Sequence, residues 1–142
     1  MTAARPPDRT LPARPLPAPS PLTQPFWDAA RRHELWVQRC RACDTHLFYP
    51  RYLCTTCGSD DLAWVEASGR GTVFTYTVAR RPTHPAFADL VPYVIAVVEL
   101  EEGPKLTTNI VDIDPDDVTI GMAVRVTFAD GDDVTLVHFR PA

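Results

Sequence analysis

Lysine is almost missing from this 142-residue chain: Lys105 is the only one, and the other basic residues are arginines. With the many Ala and Pro residues, that bias has the composition of a GC-rich bacterial genome. Long apolar runs are missing too, and nothing approaches the roughly 18 residues of a membrane-spanning helix. The N-terminus has no apolar core of the kind a secretory signal needs, so a cytoplasmic, soluble protein is expected. There is no Ser–His–acid set, and His33, His46, His84 and His138 are scattered, which argues against independent catalysis. No cysteine lies outside one short stretch, so no framework of distant disulfides is available.

That stretch is the most informative part of the chain. Cys40-Arg-Ala-Cys43 and Cys54-Thr-Thr-Cys57 are separated by ten residues. Two Cys-x-x-Cys turns so close together suit a tetrahedral four-thiolate metal site, each turn supplying two sulfurs to one side of the ion. A disulfide pair needs an oxidising compartment, and a thioredoxin-like site needs a βαβ context that is absent here. Zinc is the favoured ion; iron in a rubredoxin-like site uses the same ligands, and the sequence leaves it open. Each knuckle needs a residue that tolerates positive φ after its second cysteine. Gly58 supplies one and Asp44, a poorer choice, the other. Four thiolates complete the shell, so His46 is expected on the surface or behind the ligands rather than among them.

Charge is unevenly spread. Residues 1–58 carry eight arginines against four acids, whereas residues 59–142 carry six basic residues against fourteen acids. The basic half suits an acidic partner or a phosphate. The acidic half opposes a nucleic-acid role, because phosphate backbones need a positive groove.

Four regions are expected. Residues 1–24 form a Pro-rich, disordered arm, since eight of the fifteen prolines fall within residues 1–25. Residues 25–37 form a helix capped by Thr23, with Pro25 in its first turn and Phe26, Ala30, His33 and Val37 at helical spacing. Its aromatics Phe26, Trp27 and Trp36 are read as exposed interface anchors. Residues 38–66 form the metal ribbon, and residues 67–142 a β domain. The strands are read at Thr72–Ala79, Tyr93–Leu100, Lys105–Ile113, Val124–Phe128 and Val134–Phe139. In the first of them Val73, Thr75 and Thr77 should share one side, with Phe74, Tyr76 and Val78 on the other. Five meandering strands suit a closed OB-fold barrel, which removes exposed edges. The acidic run Asp112–Asp117 lacks the glycine and bidentate glutamate of a calcium loop and reads as a solvated turn. Arg80 and Arg81, before the Pro82–Pro92 loop, are candidates for pairing with phosphates.

Several short motifs then converge: Pro25-Phe26-Trp27, Gln38-Arg39-Cys40, Tyr49-Pro50-Arg51, Cys54-x-x-Cys57-Gly58-Ser59 and Ser68-Gly69-Arg70-Gly71-Thr72-Val73. Pro92-Tyr93, Thr108-Asn109-Ile110-Val111, Ile120-Gly121-Met122 and Phe139-Arg140-Pro141 continue the pattern. Over residues 25–141 the chain resembles the zinc-ribbon OB-fold accessory proteins, formerly a domain of unknown function, found beside thiolase-fold acyl-CoA enzymes. The Pro-rich arm and Asp44 depart from that pattern. The resemblance implies a mainly β fold with an N-terminal helix, a rubredoxin-like zinc ribbon and a five-stranded barrel. It also implies a non-catalytic subunit that stabilises or activates a thiolase, or a lipid-transfer-protein-like aldolase of steroid side-chain degradation, and helps hold the CoA thioester. Phe26, Trp27, Trp36, Tyr49, Arg51, Arg80 and Arg81 are the expected partner- or ligand-binding residues. The alternative is a stand-alone OB-fold protein binding acyl-CoA or single-stranded nucleic acid.

Overall fold

A computed structural model describes residues 14–142. Of the arm, residues 1–13 lie outside the described residues; residues 14–20 are exposed and take no regular structure. Helix α1 spans Gln24–Arg31. Thr23 holds the N-cap position, but its hydroxyl does not cap the helix; it accepts a bond from the Ser20 N–H at 2.9 Å. Pro25 sits in the first turn, where its missing N–H costs nothing.

The helix is shorter than the expected 25–37. His33 takes a left-handed conformation (φ 61), the His33 N–H donates to the Ala30 carbonyl and the Glu34 N–H donates to the Ala29 carbonyl. These are the two bonds of a Schellman stop, here with histidine where glycine is usual. His33 is held there from outside the helix. Its ring stacks on Phe128, 5.1 Å between centroids, and its Nε2 lies 2.9 Å from both Asp130 carboxylate oxygens. Trp36 and Val37 consequently belong to a strand, and Trp36 is not a helix anchor.

The ribbon sheet has the order β2-β1-β3, made of β1 (Trp36–Cys40), β2 (His46–Leu47) and β3 (Leu62–Glu66). Both pairings are antiparallel, with Gln38 opposite Leu47 on one side and Trp64 on the other. The barrel follows: β4 (Arg70–Ala79), β5 (Tyr93–Leu100), β6 (Lys105–Ile110), β7 (Ala123–Asp130) and β8 (Thr135–Pro141). It closes in the order β4-β5-β6-β8-β7. The fold is therefore mainly β: one N-terminal helix, a ribbon and a closed five-stranded barrel of OB type. Alternation along β5 buries Val94, Ala96, Val98 and Leu100, which meet Val73, Leu106, Ile110, Val124 and Phe139 in the core.

One strand breaks the expected alternation. The β4–β5 register shifts between Val73 and Thr75, so Val73 is buried while Phe74 is 52% exposed beneath the Lys105 ammonium. A bulge of this kind inserts a residue and reverses the phase that follows; Tyr76 and Val78 then pack on the core and Thr75 and Thr77 do not. Gly69 opens the barrel at φ 80, and a β-carbon there would lie 2.6 Å from Val126 Cγ1. Only glycine meets both conditions without strain. Two short 3₁₀ turns, Pro85–Phe87 and Pro115–Asp117, sit in the loops. In the second, the Asp114 carboxylate accepts from the Asp116 N–H. No described helix is long and apolar enough to cross a membrane.

Candidate metal centre and adjoining trough

Cys40 ends β1, Cys43 closes the first knuckle, and Cys54 and Cys57 form the second. Their sulfurs all lie within 4.8 Å of one another. Cys40 Sγ and Cys57 Sγ are 3.6 Å apart, as are Cys43 Sγ and Cys54 Sγ. A tetrahedron with metal–sulfur bonds of about 2.3 Å has edges of roughly 3.8 Å, so the donor set fits one ion. Asp44 (φ 67) and Gly58 (φ 77) both take the positive φ that the knuckles require. The Asp44 N–H donates to the Cys40 carbonyl at 2.8 Å and the Gly58 N–H to the Cys54 carbonyl at 3.0 Å, closing equivalent turns. Asp44 also pairs with Arg39, which compensates for its side chain in a glycine position.

The thiols of Cys43, Cys54 and Cys57 are electrostatically unequal. The backbone N–H of Cys57, aided by that of Thr56, pulls Cys54 down to about 6. The Thr45 hydroxyl and backbone hold Cys43 below the usual thiol range. For Cys57 the Ser59 backbone N–H acts downward, but burial and the neighbouring sulfurs outweigh it and push the thiol up to about 12. Both effects favour Cys54 and Cys43 as thiolates, the form that binds metal. His46 is half-buried in β2, opposite Arg39. Among the described residues, the cysteines are the only such cluster placed to hold a metal.

Gln38 positions the chain between the knuckles. It is 4% exposed. Its Nε2 donates to the Arg51 carbonyl at 2.9 Å, and the Arg51 N–H donates to its Oε1 at 2.7 Å. The clip works through the Arg51 backbone; the Arg51 side chain is exposed. The position of Gln38 two residues before Cys40, on the strand that carries that ligand, was the available signal in the sequence, and spacing arguments gave it no role.

The other expected binding residues fall into two groups. Phe26, Trp27 and Tyr49 come together. Phe26 is 4.9 Å from the Trp27 ring and 5.4 Å from that of Phe48, and Phe48 is 4.5 Å from Tyr49. The Tyr49 hydroxyl accepts from the Thr107 N–H at 3.0 Å, tying the ribbon loop to β6. These rings line one wall of a cavity of about 280 Å³ between α1, the ribbon loop, β6 and β8. Phe26 is buried at 7% exposure, so it is a core residue and not the exposed anchor expected from the sequence. Trp36, Arg80 and Arg81 lie away from this cavity. Trp36 is half-buried, its indole N–H donating to Glu34 at 3.2 Å. The Arg80 guanidinium is engaged by the Asp116 carboxylate at 2.9 Å, and Arg81 is exposed.

Comparison with known proteins accords with this architecture. Residues 27–63 match the rubredoxin-like zinc ribbon domain of ChsH2, and residues 64–129 match its C-terminal OB-fold domain. A solved chain described as "Ltp2-ChsH2(DUF35) aldolase" superposes with a TM-score of 0.79 at 45% identity, covering 89% of this chain and 98% of that one. A probable enoyl-CoA hydratase alpha subunit of Thermomonospora curvata is 49% identical across 82% of this chain, which spans only 37% of that protein. A DUF35 domain-containing scaffold protein of Methanothermobacter thermautotrophicus is 39% identical over 69% of this chain and 74% of its own length. The chain belongs to the DUF35 family of zinc-ribbon OB-fold proteins.

Proposed function

We propose that this chain is a non-catalytic accessory subunit that docks on a thiolase-fold acyl-CoA enzyme, a thiolase or a lipid-transfer-protein-like aldolase, and stabilises or activates it. The observation that carries the reading is the four-thiolate centre supporting an apolar ribbon loop. Cys40, Cys43, Cys54 and Cys57 would hold zinc in a closed shell, and zinc so bound supplies rigidity and no vacant position for substrate. Directly before Cys54 the loop exposes Tyr49 at 48%, Tyr52 at 73% and Leu53 at 56%. Bulky apolar side chains clustered on a rigid, metal-pinned loop are suited to anchor an interface. The likeness to a chain described with an Ltp2–ChsH2 aldolase supports an enzyme partner.

Co-expression with a thiolase-fold enzyme encoded beside it, followed by gel filtration with light scattering, tests the proposal. A stable complex is expected, with enzyme activity lost when this chain is omitted. Tyr52→Ala with Leu53→Ala should release the complex while thermal unfolding of this chain stays unchanged. Separate elution at micromolar concentration with full enzyme activity overturns the proposal. Direct contact of Arg80 with a CoA phosphate would have to displace Asp116, which makes exposed Arg81 the better candidate of the two.

A further inference from the structure

The ligand cysteines differ in how far they are shielded. Cys40 is 0% exposed and Cys54 3%, and both pack with Leu47 in a small apolar cluster against which Cys43 and Leu62 lie. Cys57 stands outside that cluster and is an exposed residue. It closes the second knuckle beside the left-handed Gly58, and its neighbours Thr55, Thr56 and Gly58 are exposed as well. Two of the other sulfurs are engaged by nearby groups. The Thr56 N–H donates to Cys54 Sγ at 3.3 Å, and the Thr45 hydroxyl lies 3.2 Å from Cys43 Sγ. The sulfur 3.6 Å from Cys57 belongs to Cys40, on the other knuckle.

With an ion bound, all four sulfurs are thiolates, so access sorts their reactivity and proton affinity does not. Four thiolates around a divalent ion carry net negative charge. The two guanidiniums beside the first knuckle are already engaged, Arg39 by Asp44 and Arg41 by Asp61 at 3.0 Å. The centre therefore disfavours anionic reagents and admits a small neutral oxidant.

We propose that Cys57 is a modification site: it is the ligand through which a hydroperoxide oxidises the centre, with Cys40 as its resolving partner. The Cys57 thiolate attacks a peroxide oxygen. The S–O bond forms, the O–O bond breaks, and the departing oxygen takes a proton to leave as water or an alcohol. Cys57 is then a sulfenic acid, and its two electrons have passed to the peroxide. The Cys40 thiolate attacks the Cys57 sulfur next. The S–S bond forms, the S–O bond breaks, and the hydroxide takes a second proton and leaves as water. Two of four ligands are consumed, and the remaining two thiolates no longer make a closed set for zinc. The ribbon gives up its ion, and the loop carrying Tyr52 and Leu53 loses its anchor. That consequence for docking rests on the accessory-subunit reading; the site of oxidation rests on exposure and sulfur geometry alone.

The test uses the unsubstituted, zinc-loaded full chain, because replacing any ligand removes the ion whatever the order of oxidation. In brief labelling with N-ethylmaleimide, Cys57 should react about tenfold or more faster than Cys40 and Cys54, which need local opening first. Substoichiometric hydrogen peroxide is then added, free thiols are blocked, and the disulfides are mapped by mass spectrometry while a coloured chelator reports released zinc. The first disulfide should join Cys40 to Cys57, zinc release should track it one for one, and the near-ultraviolet circular dichroism of the barrel should persist. Dithiothreitol with added zinc should restore the centre. Labelling of Cys57 no faster than Cys54, a first disulfide within one knuckle, or zinc release without a disulfide overturns the inference. Gel filtration with the enzyme before and after oxidation separates the two readings. Absence of a complex before oxidation refutes the accessory-subunit reading and leaves the oxidation site standing. A complex that survives complete oxidation refutes the coupling of the site to docking.

Discussion

Replacing Gln38 with Met keeps most of the side-chain volume and removes both bonds of the clip to Arg51. Each net hydrogen bond contributes about 1 kcal/mol, so the pair contributes about 2 kcal/mol. Arg51 is an exposed residue, so water is expected to take the place of the lost side chain at its backbone and spare the larger penalty of an orphaned buried group. The loss falls on the loop between the knuckles, since the clip joins β1 to the residues just before Cys54. About 2 kcal/mol corresponds to roughly a thirtyfold rise in the open population of that loop. Metal release into excess chelator should accelerate by about that factor when release requires opening, while the urea midpoint of the barrel stays where it was. Release at the wild-type rate refutes the assignment of Gln38 as the strut of the second knuckle. A barrel destabilised as much as the ribbon refutes the claim that the effect is local.

Cys54→Ser removes a ligand from a closed tetrahedral set, so metal content should fall to near zero while near-ultraviolet circular dichroism still reports a folded barrel; retained stoichiometric metal contradicts the four-thiolate site. Gly69→Ala combines a left-handed residue with overlap on Val126 and should cost about 2–4 kcal/mol in denaturant unfolding; adding Val126→Ala should recover part of this, and an unchanged midpoint contradicts the geometry. The Asp130 carboxyl is held below its ordinary range, first by its bond to His33 and then by the Thr135 hydroxyl. A depressed folded-state pKa contributes stability that is present above the unfolded value and is lost as pH falls through the folded one. Asp130→Asn should therefore flatten the loss of stability below about pH 4, the ordinary aspartate value; an acid limb identical to wild type contradicts that linkage.

What the sequence made legible was chemistry carried by spacing. The cysteine pairs predicted their own cluster, and Gly58 and Asp44 predicted their backbone conformation, because a knuckle admits few alternatives. Strand existence was legible from β-branched runs bounded by turn residues. The end of α1 was not, because the stop residue is His33 and its left-handed conformation is held by Phe128 and Asp130, nearly a hundred residues away. The phase of β4 was not, because a bulge at Phe74 leaves no mark in an alternating pattern of Thr and aromatic residues. The aromatic cluster was read as an exposed helix face, whereas Phe26 turns inward onto Phe48 of the ribbon loop.

The metal centre and the cavity behind the ribbon loop are coupled through the same few residues. Cys54 ends the loop, the Gln38 clip fixes Arg51, and the stretch from Phe48 to Pro50 just upstream forms one wall of the cavity. The opposite wall comes from β6 and β8 of the barrel, and Tyr49 bridges the two by accepting from Thr107. A loop this short buries too little apolar area to hold its own shape. Its conformation therefore depends on the ligands at one end and on the barrel contact at the other. An ion that binds four sulfurs then orders both the exposed residues of the loop and the face that lines the cavity. The exposed Tyr52 and Leu53 and the cavity wall Phe48–Pro50 are thus carried by one short segment that ends at a metal-ligand cysteine, so loss of the ion should disturb the proposed docking residues and the cavity together.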